Sequence, residues 1–432
     1  MNHKVFCIIL LFLHLISRAQ EVKIDSVYTF EKIDKSTSFA ALTLGGDILS
    51  LGQAQTNING QTTNLPHQFM PRFNVGGTHF WGHADFYVTF PLGLSFGNSG
   101  AGIKDYRYTE GVETGAKIYP WAMKPGRITP YVGISFQPIS FKYSLTEDQY
   151  PYGGSEYSKF ITPIHLGVTY TSKKYMYNLG ARWVNDVDFD YYQTPSTKVA
   201  SSFSPLNFNI SIFRYIDTDK SMASSKALDQ LNKKHYVLEK EGGLSSWYWA
   251  FGPSTALQMS KSSFFQKKHP YFNHDMNNSF LVPELAVGKY FYKGDFNINA
   301  ASRFMSFTKS AFDTKIKMNR ISLAVEGYKF LFDYHGFVPF IGPSIMMDHI
   351  SVNVNGQKYT ASKPALGIVF GWDIRVTQTG TSLLRTNLRY APGHHIKIDN
   401  EKLMFDHLEF NFIQYVKFFG RSKIYKKYRK RD

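Results

Sequence analysis

Long runs of alternating polarity constrain this chain more than any other feature. From Ala84 one face reads Ala84, Phe86, Val88, Phe90, Leu92, Leu94 and Phe96, and the other His83, Asp85, Tyr87, Thr89, Pro91, Gly93 and Ser95. From Ile128 the same division sets Ile128, Pro130, Val132, Ile134 and Phe136 against Thr129, Tyr131, Gly133, Ser135 and Gln137. Side chains of a strand switch faces at every residue, so each run has one apolar face and one polar or small face. The runs are about ten to fifteen residues long. Globular strands average about five or six, whereas a tilted strand crossing a bilayer needs about nine to eleven. After residue 19 no apolar stretch approaches the roughly 18 residues of a spanning helix. The aromatic share of 16% fits interfacial girdles on a barrel better than the core of a soluble β-sandwich.

Sixteen strands are predicted. Eight lie near 36–51, 70–80, 83–96, 106–120, 127–143, 160–171, 174–186 and 202–216. Eight more lie near 247–260, 280–291, 294–308, 315–332, 337–350, 364–377, 382–392 and 407–419. Tight turns alternate with long polar loops near 52–69, 97–105, 144–159, 187–201, 261–279, 351–363 and 393–406, with a shorter one at Lys309–Thr314. Short periplasmic turns and longer external loops are the outer-membrane pattern. The two sets also echo each other: MPRFNVG from Met70 returns as VPELAVG from Val282, TPYVG from Thr129 as VPFIG from Val338, and LNFNI from Leu206 as LEFNF from Leu408. Echoes in fixed order read as an internal duplication.

Residues 1–19 carry Lys4, an apolar run from Val5 to Ile16, and Ser17-Arg18-Ala19 before Gln20, the form of a cleaved export signal. The only cysteine, Cys7, lies inside that run, so the mature chain is expected to have no thiol chemistry. The expected location is the outer membrane of a Gram-negative cell. Its lipids, the barrel-assembly machinery and periplasmic chaperones are the expected partners.

Each half resembles the small eight-stranded outer-membrane barrels of the OmpA membrane-domain type. The likeness rests on GAKIYPW (Gly115 to Trp121), TPYVGISF (Thr129 to Phe136), LGARWV (Leu179 to Val184) and LNFNISIFRY (Leu206 to Tyr215). It covers nearly all of the mature chain and speaks to architecture more than activity. The duplication, the linker and the residues after the last strand depart from that family.

The expected fold is all-β and transmembrane, with about sixteen antiparallel strands forming two tandem eight-stranded barrels, residues 20–216 and 247–419; the alternative is one sixteen-stranded barrel of porin size. Between them, residues 217–246 form a linker in which Ser224 to Glu241 reads as helix, with Leu228, Leu231, His235 and Leu238 on one stripe.

On the non-lipid faces, Asp85, Glu113 and Arg182 of the first half answer Asp295, Glu326 and Arg389 of the second, joined by Arg385 and Asn387, while Asn209 matches Asn411. A charge at membrane depth is costly unless an interior partner meets it. The resemblance implies that such Glu and Arg side chains bridge a filled interior; an ion-selecting pore lining is the other reading. Residues 420–432 hold Arg421, Lys423, Lys426, Lys427, Arg429, Lys430 and Arg431, within a net charge of +16 for the chain. Export argues against nucleic acid as the partner and for anionic lipid headgroups or an acidic partner, or simply a solvated tail. No cofactor or metal site is expected, since Asp186, Asp188 and Asp190, the His394-His395 pair and Asp348-His349 form no catalytic spacing. The chain is therefore expected to be a non-enzymatic outer-membrane protein acting through its external loops, with a porin-like channel as the alternative.

Overall fold

The computed structural model describes residues 40–58, 60–65, 67–94, 103–145, 150–185, 187–217, 225–258, 260–272, 282–334, 336–375 and 380–429. The expected export signal, Asp186, Lys430 and Arg431 lie outside them. The molecule is almost entirely β-structure. Its first eight barrel strands are β1 (Ala41–Leu51), β2 (Gln68–His79), β3 (Ala84–Pro91), β4 (Glu113–Ile118), β5 (Arg127–Leu145), β6 (Ile164–Thr171), β7 (Tyr175–Trp183) and β8 (Leu206–Asp217). The other eight are β9 (Trp247–Gln258), β10 (Val282–Phe291), β11 (Phe296–Ala311), β12 (Thr314–Phe330), β13 (Phe337–Val354), β14 (Gln357–Ile374), β15 (Ser382–Ala391) and β16 (His407–Phe418).

Strands β9 to β16 form a closed barrel, and β16 pairs back onto β9. The first eight form a second ring: β8 pairs with β7 and with β1, where Ser50 meets Phe208 and Ala41 meets Asp217. Among the described residues β8 makes no pairing with β9. The sixteen-membered ring is therefore not what these strands build.

The walls are inverted relative to a soluble protein. Leu366 is 71% exposed and Leu285 61%, pointing outward, while Arg389, Glu326 and Glu284 are 0% exposed, pointing inward. Alternation puts apolar groups outside and charges inside, which is stable only where the outer surface meets hydrocarbon.

The long polar loops carry strands of their own. Loops of the first ring carry a four-stranded sheet in the order Asp188–Tyr192, Lys198–Ser202, Gln55–Ile58, Gln61–Asn64. The upper end of β5 pairs with Ile103–Glu110 on one side and Glu156–Ile161 on the other. The expected strand at 106–120 is thus two strands, broken at Gly111-Val112, and only β4 belongs to the barrel wall. The expected loop at 351–363 is a correction of a second kind: β13 and β14 continue through it to a two-residue turn at Asn355-Gly356, both at positive φ (47° and 95°). That dipeptide suits a type I′ hairpin.

The helical linker runs Ser225–Lys240 (α1), with His235 and Leu238 buried as the stripe requires. A short helix, Ser263–Lys268 (α2), and the hairpin His395–Ile398/Glu401–Met404 lie at the loop end of the second barrel. The basic tail is folded, not a solvated coil: Arg421–Arg429 forms α3 against α1.

Candidate functional site

Both rings carry clusters of buried charges in their interiors. In the first, Arg72 from β2 makes paired bonds to Asp47 of β1 (2.9 and 2.5 Å) and reaches Glu113 at 2.6 Å and Glu110 at 3.2 Å. Arg182 from β7 pairs with Glu110 through both guanidinium nitrogens and lies 3.5 Å from Glu113. Tyr87 donates to Glu113 at 2.8 Å. In the second, Arg303 lies 3.0 Å from Glu284, 2.6 Å from Glu326 and 3.0 Å from Glu409. Arg389 meets Glu326 at 2.5 Å, and Arg320 meets Glu409 at 3.0 Å. Buried charges persist when each has opposite partners and hydrogen bonds to its remaining lone pairs. Glu284 meets this through Gln414 (2.9 Å) and Asn411 (3.2 Å).

A second layer lies nearer the turns. Lys117 stands 3.9 Å from Asp85 and over the rings of Tyr87 and Tyr131. Its counterpart Arg385 grips Asp373 with two bonds (2.7 and 3.0 Å) beneath Tyr248, Tyr328 and Phe340. Above the charges, each unit is closed toward the loops by an apolar cluster. Phe141, Tyr143, Phe189, Tyr191 and Phe203 belong to the first cluster; Phe264, Phe265, Phe312, Ile396 and Phe405 belong to the second.

Of the expected interior residues, Asp85, Glu113, Arg182, Glu326, Arg385 and Arg389 lie buried inside. Asp295 does not: it sits in the turn between β10 and β11 at φ 46°, half-buried, accepting a bond from Tyr290 at 3.0 Å. Sequence reasoning missed Asp47, Arg72, Glu110, Glu284, Arg303, Arg320 and Glu409. A signal existed for two of them, because Arg72 and Glu284 share the third position of the echoed MPRFNVG and VPELAVG. The halves have opposite charges there, and each recruits different neighbours to balance.

The tail divides by residue. Arg421 is buried, bonded to the carbonyls of Gly380 (2.7 Å) and Leu244 (2.9 Å), with its guanidinium 3.7 Å from the Phe418 ring centre. It is a structural bolt. Lys423, Lys426 and Lys427 are exposed along α3, and Arg429 is its last residue.

Ser135, His165 and Glu113 come together, but both Ser135 Oγ (2.7 Å) and Glu113 (3.5 Å) face the same nitrogen, Nε2, of His165. A relay needs the base to use both ring nitrogens. His349 meets Ser362 at 3.0 Å on the outer wall, while Asp348 faces inward toward His394 at 3.4 Å. Asp188 and Asp190 are exposed, and Asp190 pairs with Lys198 at 3.5 Å. Among the described residues no group of three or more His, Cys, Asp or Glu is placed to hold a metal ion.

The loops of the two units meet. Tyr152 donates to Phe312 at 3.1 Å and Phe312 to Gly153 at 2.8 Å through the backbone, and Glu156 bridges Phe272. Between them lies a cleft of about 820 Å³ whose lining includes Tyr157, Asp188, Asp190, Lys198 and, from the second unit, Lys261 and Tyr271. Aromatic faces beside both signs of charge give this cleft hydrogen-bonding and stacking capacity.

No family model matches the chain, and no curated protein matches it. Among solved structures it is similar to Neisserial surface protein A, at 16% identity and TM-score 0.29 over 40% of this chain and 96% of that one. It is also similar to Ail, the attachment invasion locus protein of Yersinia pestis, at 11% identity and TM-score 0.26 over 40% of this chain and 96% of that one. An outer membrane channel from Pseudomonas putida F1 aligns over 90% of this chain and 100% of its own at 7% identity and TM-score 0.21. What can be said of function therefore comes from this chain's own geometry: two rings of eight strands, charged within and apolar without.

Proposed function

We propose that this chain is an integral protein of the Gram-negative outer membrane, built from two separately closed eight-stranded barrels that arose by tandem duplication of an OmpA-type unit. The barrels are non-conducting and non-enzymatic, and the protein acts through the surface its external loops present. One observation carries this reading: guanidinium–carboxylate clusters span the interior of each unit beneath an apolar cap. Eight strands leave an interior just wide enough for side chains, and here side chains fill it. The cleft between the loops is the surface best formed for an external ligand. Export and assembly through periplasmic chaperones and the barrel-assembly machinery follow from the same reading.

The test is conductance of the purified full-length protein in planar bilayers. Silence, with insertion verified by the gel shift between heated and unheated samples, is the expected result. Steady, large openings would overturn the filled-barrel reading and restore the channel.

A further inference from the structure

Two convex walls that touch along a line leave furrows beside the contact. Here the contact is made by outward-facing residues: Val88 and Val112 of the first unit pack with Phe410 and Phe412 of β16. Nearer the turns, Phe80 of the first unit stands 6.1 Å from both Tyr334 and Phe337 of the second. Beside these contacts runs a slot of about 630 Å³, bordered by both units. Its walls are the lipid-facing sides of the barrels, with Val75, Phe86 and Ala116 opposite Leu384, Leu388 and Trp372.

The lining spans β16 from Tyr415 near the turns to Leu408 near the loops. At about 3.3 Å per residue this is roughly 23 Å along the strand. A single leaflet of a bilayer core is about 15 Å deep, so the slot is long enough for one extended chain of a lipid. Water is a poor occupant, because an apolar cavity offers it too few hydrogen-bond partners. At its turn end the slot reaches Ala40 and Gly336, the ends of the walls on the side of the short turns. That end opens to the periplasmic leaflet if the short turns are periplasmic.

We infer that this slot is a binding site for an acyl chain of a phospholipid from the turn-side leaflet, held between the two units as a structural lipid. The inference rests on the membrane reading above. The chain would enter alongside the outer walls, whose lining is mostly apolar. Residues that set the slot's width are small: Ala116 on β4 and Gly77 on β2 leave the space that bulkier side chains would fill.

The test uses the full-length protein, inserted into vesicles of phosphatidylethanolamine and phosphatidylglycerol, extracted into mild detergent and weighed by native mass spectrometry. Retention of one phospholipid per chain through repeated detergent exchange is expected. The double substitution Val75→Phe with Ala116→Phe should lower retention at least tenfold. Ala181→Phe, on the outward face of β7 across the ring, should leave it unchanged. A wild-type protein that inserts yet keeps no phospholipid overturns the inference, as does a slot variant that inserts and keeps as much as wild type. A retained lipopolysaccharide or polypeptide in place of the phospholipid overturns it too. Failure of the wild type to insert at all would sink the membrane reading itself, and the gel shift on heating distinguishes that outcome.

Discussion

At the scale of single residues, the interior charges are costly to remove one at a time. Arg303 is in contact with three carboxylates, Glu284, Glu326 and Glu409, and is 1% exposed. Replacing it by Met leaves those three acids with Arg389 and Arg320 as their remaining guanidinium partners. Removing one partner of a buried pair typically costs about 3–5 kcal/mol, because the uncompensated charge stays behind. Arg303→Met should therefore move the guanidinium unfolding midpoint of the detergent-folded protein strongly downward. Lys268→Ala, which breaks only the exposed pair with Asp399 at 3.1 Å, should shift it by less than about 1 kcal/mol. Equal shifts for the two variants would refute the account of the interior as a set of interlocked pairs. The first unit makes a matching comparison. Arg72 there stands where Glu284 stands in the second; its partners Asp47, Glu110 and Glu113 are acids, whereas Glu284 is met by Arg303 and Arg389. A sign reversal at one position thus propagates around the ring, so an identical substitution need not have identical consequences in the two halves.

At the scale of elements, turn chemistry decides where the long hairpins end. The turn between β13 and β14 uses Asn355 and Gly356 at positive φ, and the Asn353 side chain accepts a bond from the Gly356 amide at 2.9 Å. A β-branched side chain at position 356 would meet the left-handed penalty of about 1–2 kcal/mol. Gly356→Val should accordingly lower stability by about that amount while leaving β-sheet content, read by circular dichroism, unchanged; an unaltered unfolding midpoint would show that the turn is not strained. This hairpin also shows what the sequence concealed. Lys358, Thr360, Ser362 and Lys363 look like a polar loop because both faces of a strand are wet once it rises beyond the hydrocarbon, and alternation vanishes there. Within the hydrocarbon the pattern survives, and β10, β12 and β16 begin and end within two residues of their expected bounds. The interior was partly readable for a similar reason. Glu113, Glu326 and Arg389 stand out on alternating strands, whereas Glu110 reaches the cluster from a loop-side strand whose register no pattern in the chain reveals. Within the tail the sequence did not mark Arg421 as an anchor among its other basic residues: Arg421 bonds to Leu244 and Gly380, and Ile424 approaches Gly243. Arg421→Ala should release α3 from α1, read as new protease cleavage near residue 420 with the barrel gel shift intact.

At the scale of the whole molecule, the pairing of β8 with β1 and of β16 with β9 makes each ring complete in its own hydrogen bonds. A ring with no open edge needs no neighbour to satisfy its backbone in hydrocarbon. Residues 244–432 expressed alone should therefore refold in detergent into a heat-modifiable barrel, since β9 and β16 close on each other and the Arg303 cluster lies wholly within that segment. The first unit is expected to close as well, but with looser loops. Its segment Tyr152–Gly153 takes two backbone bonds from the hairpin at Phe312, and Tyr150 packs against the Phe312 ring at 4.9 Å, all of which come from the second unit. Limited proteolysis separates these effects: the isolated first unit should resist cleavage in its strands and be cut within residues 150–158, a segment protected in the full chain. If neither half refolds alone while the full chain does, the rings depend on each other during closure, and the linker helix does more than connect two finished barrels.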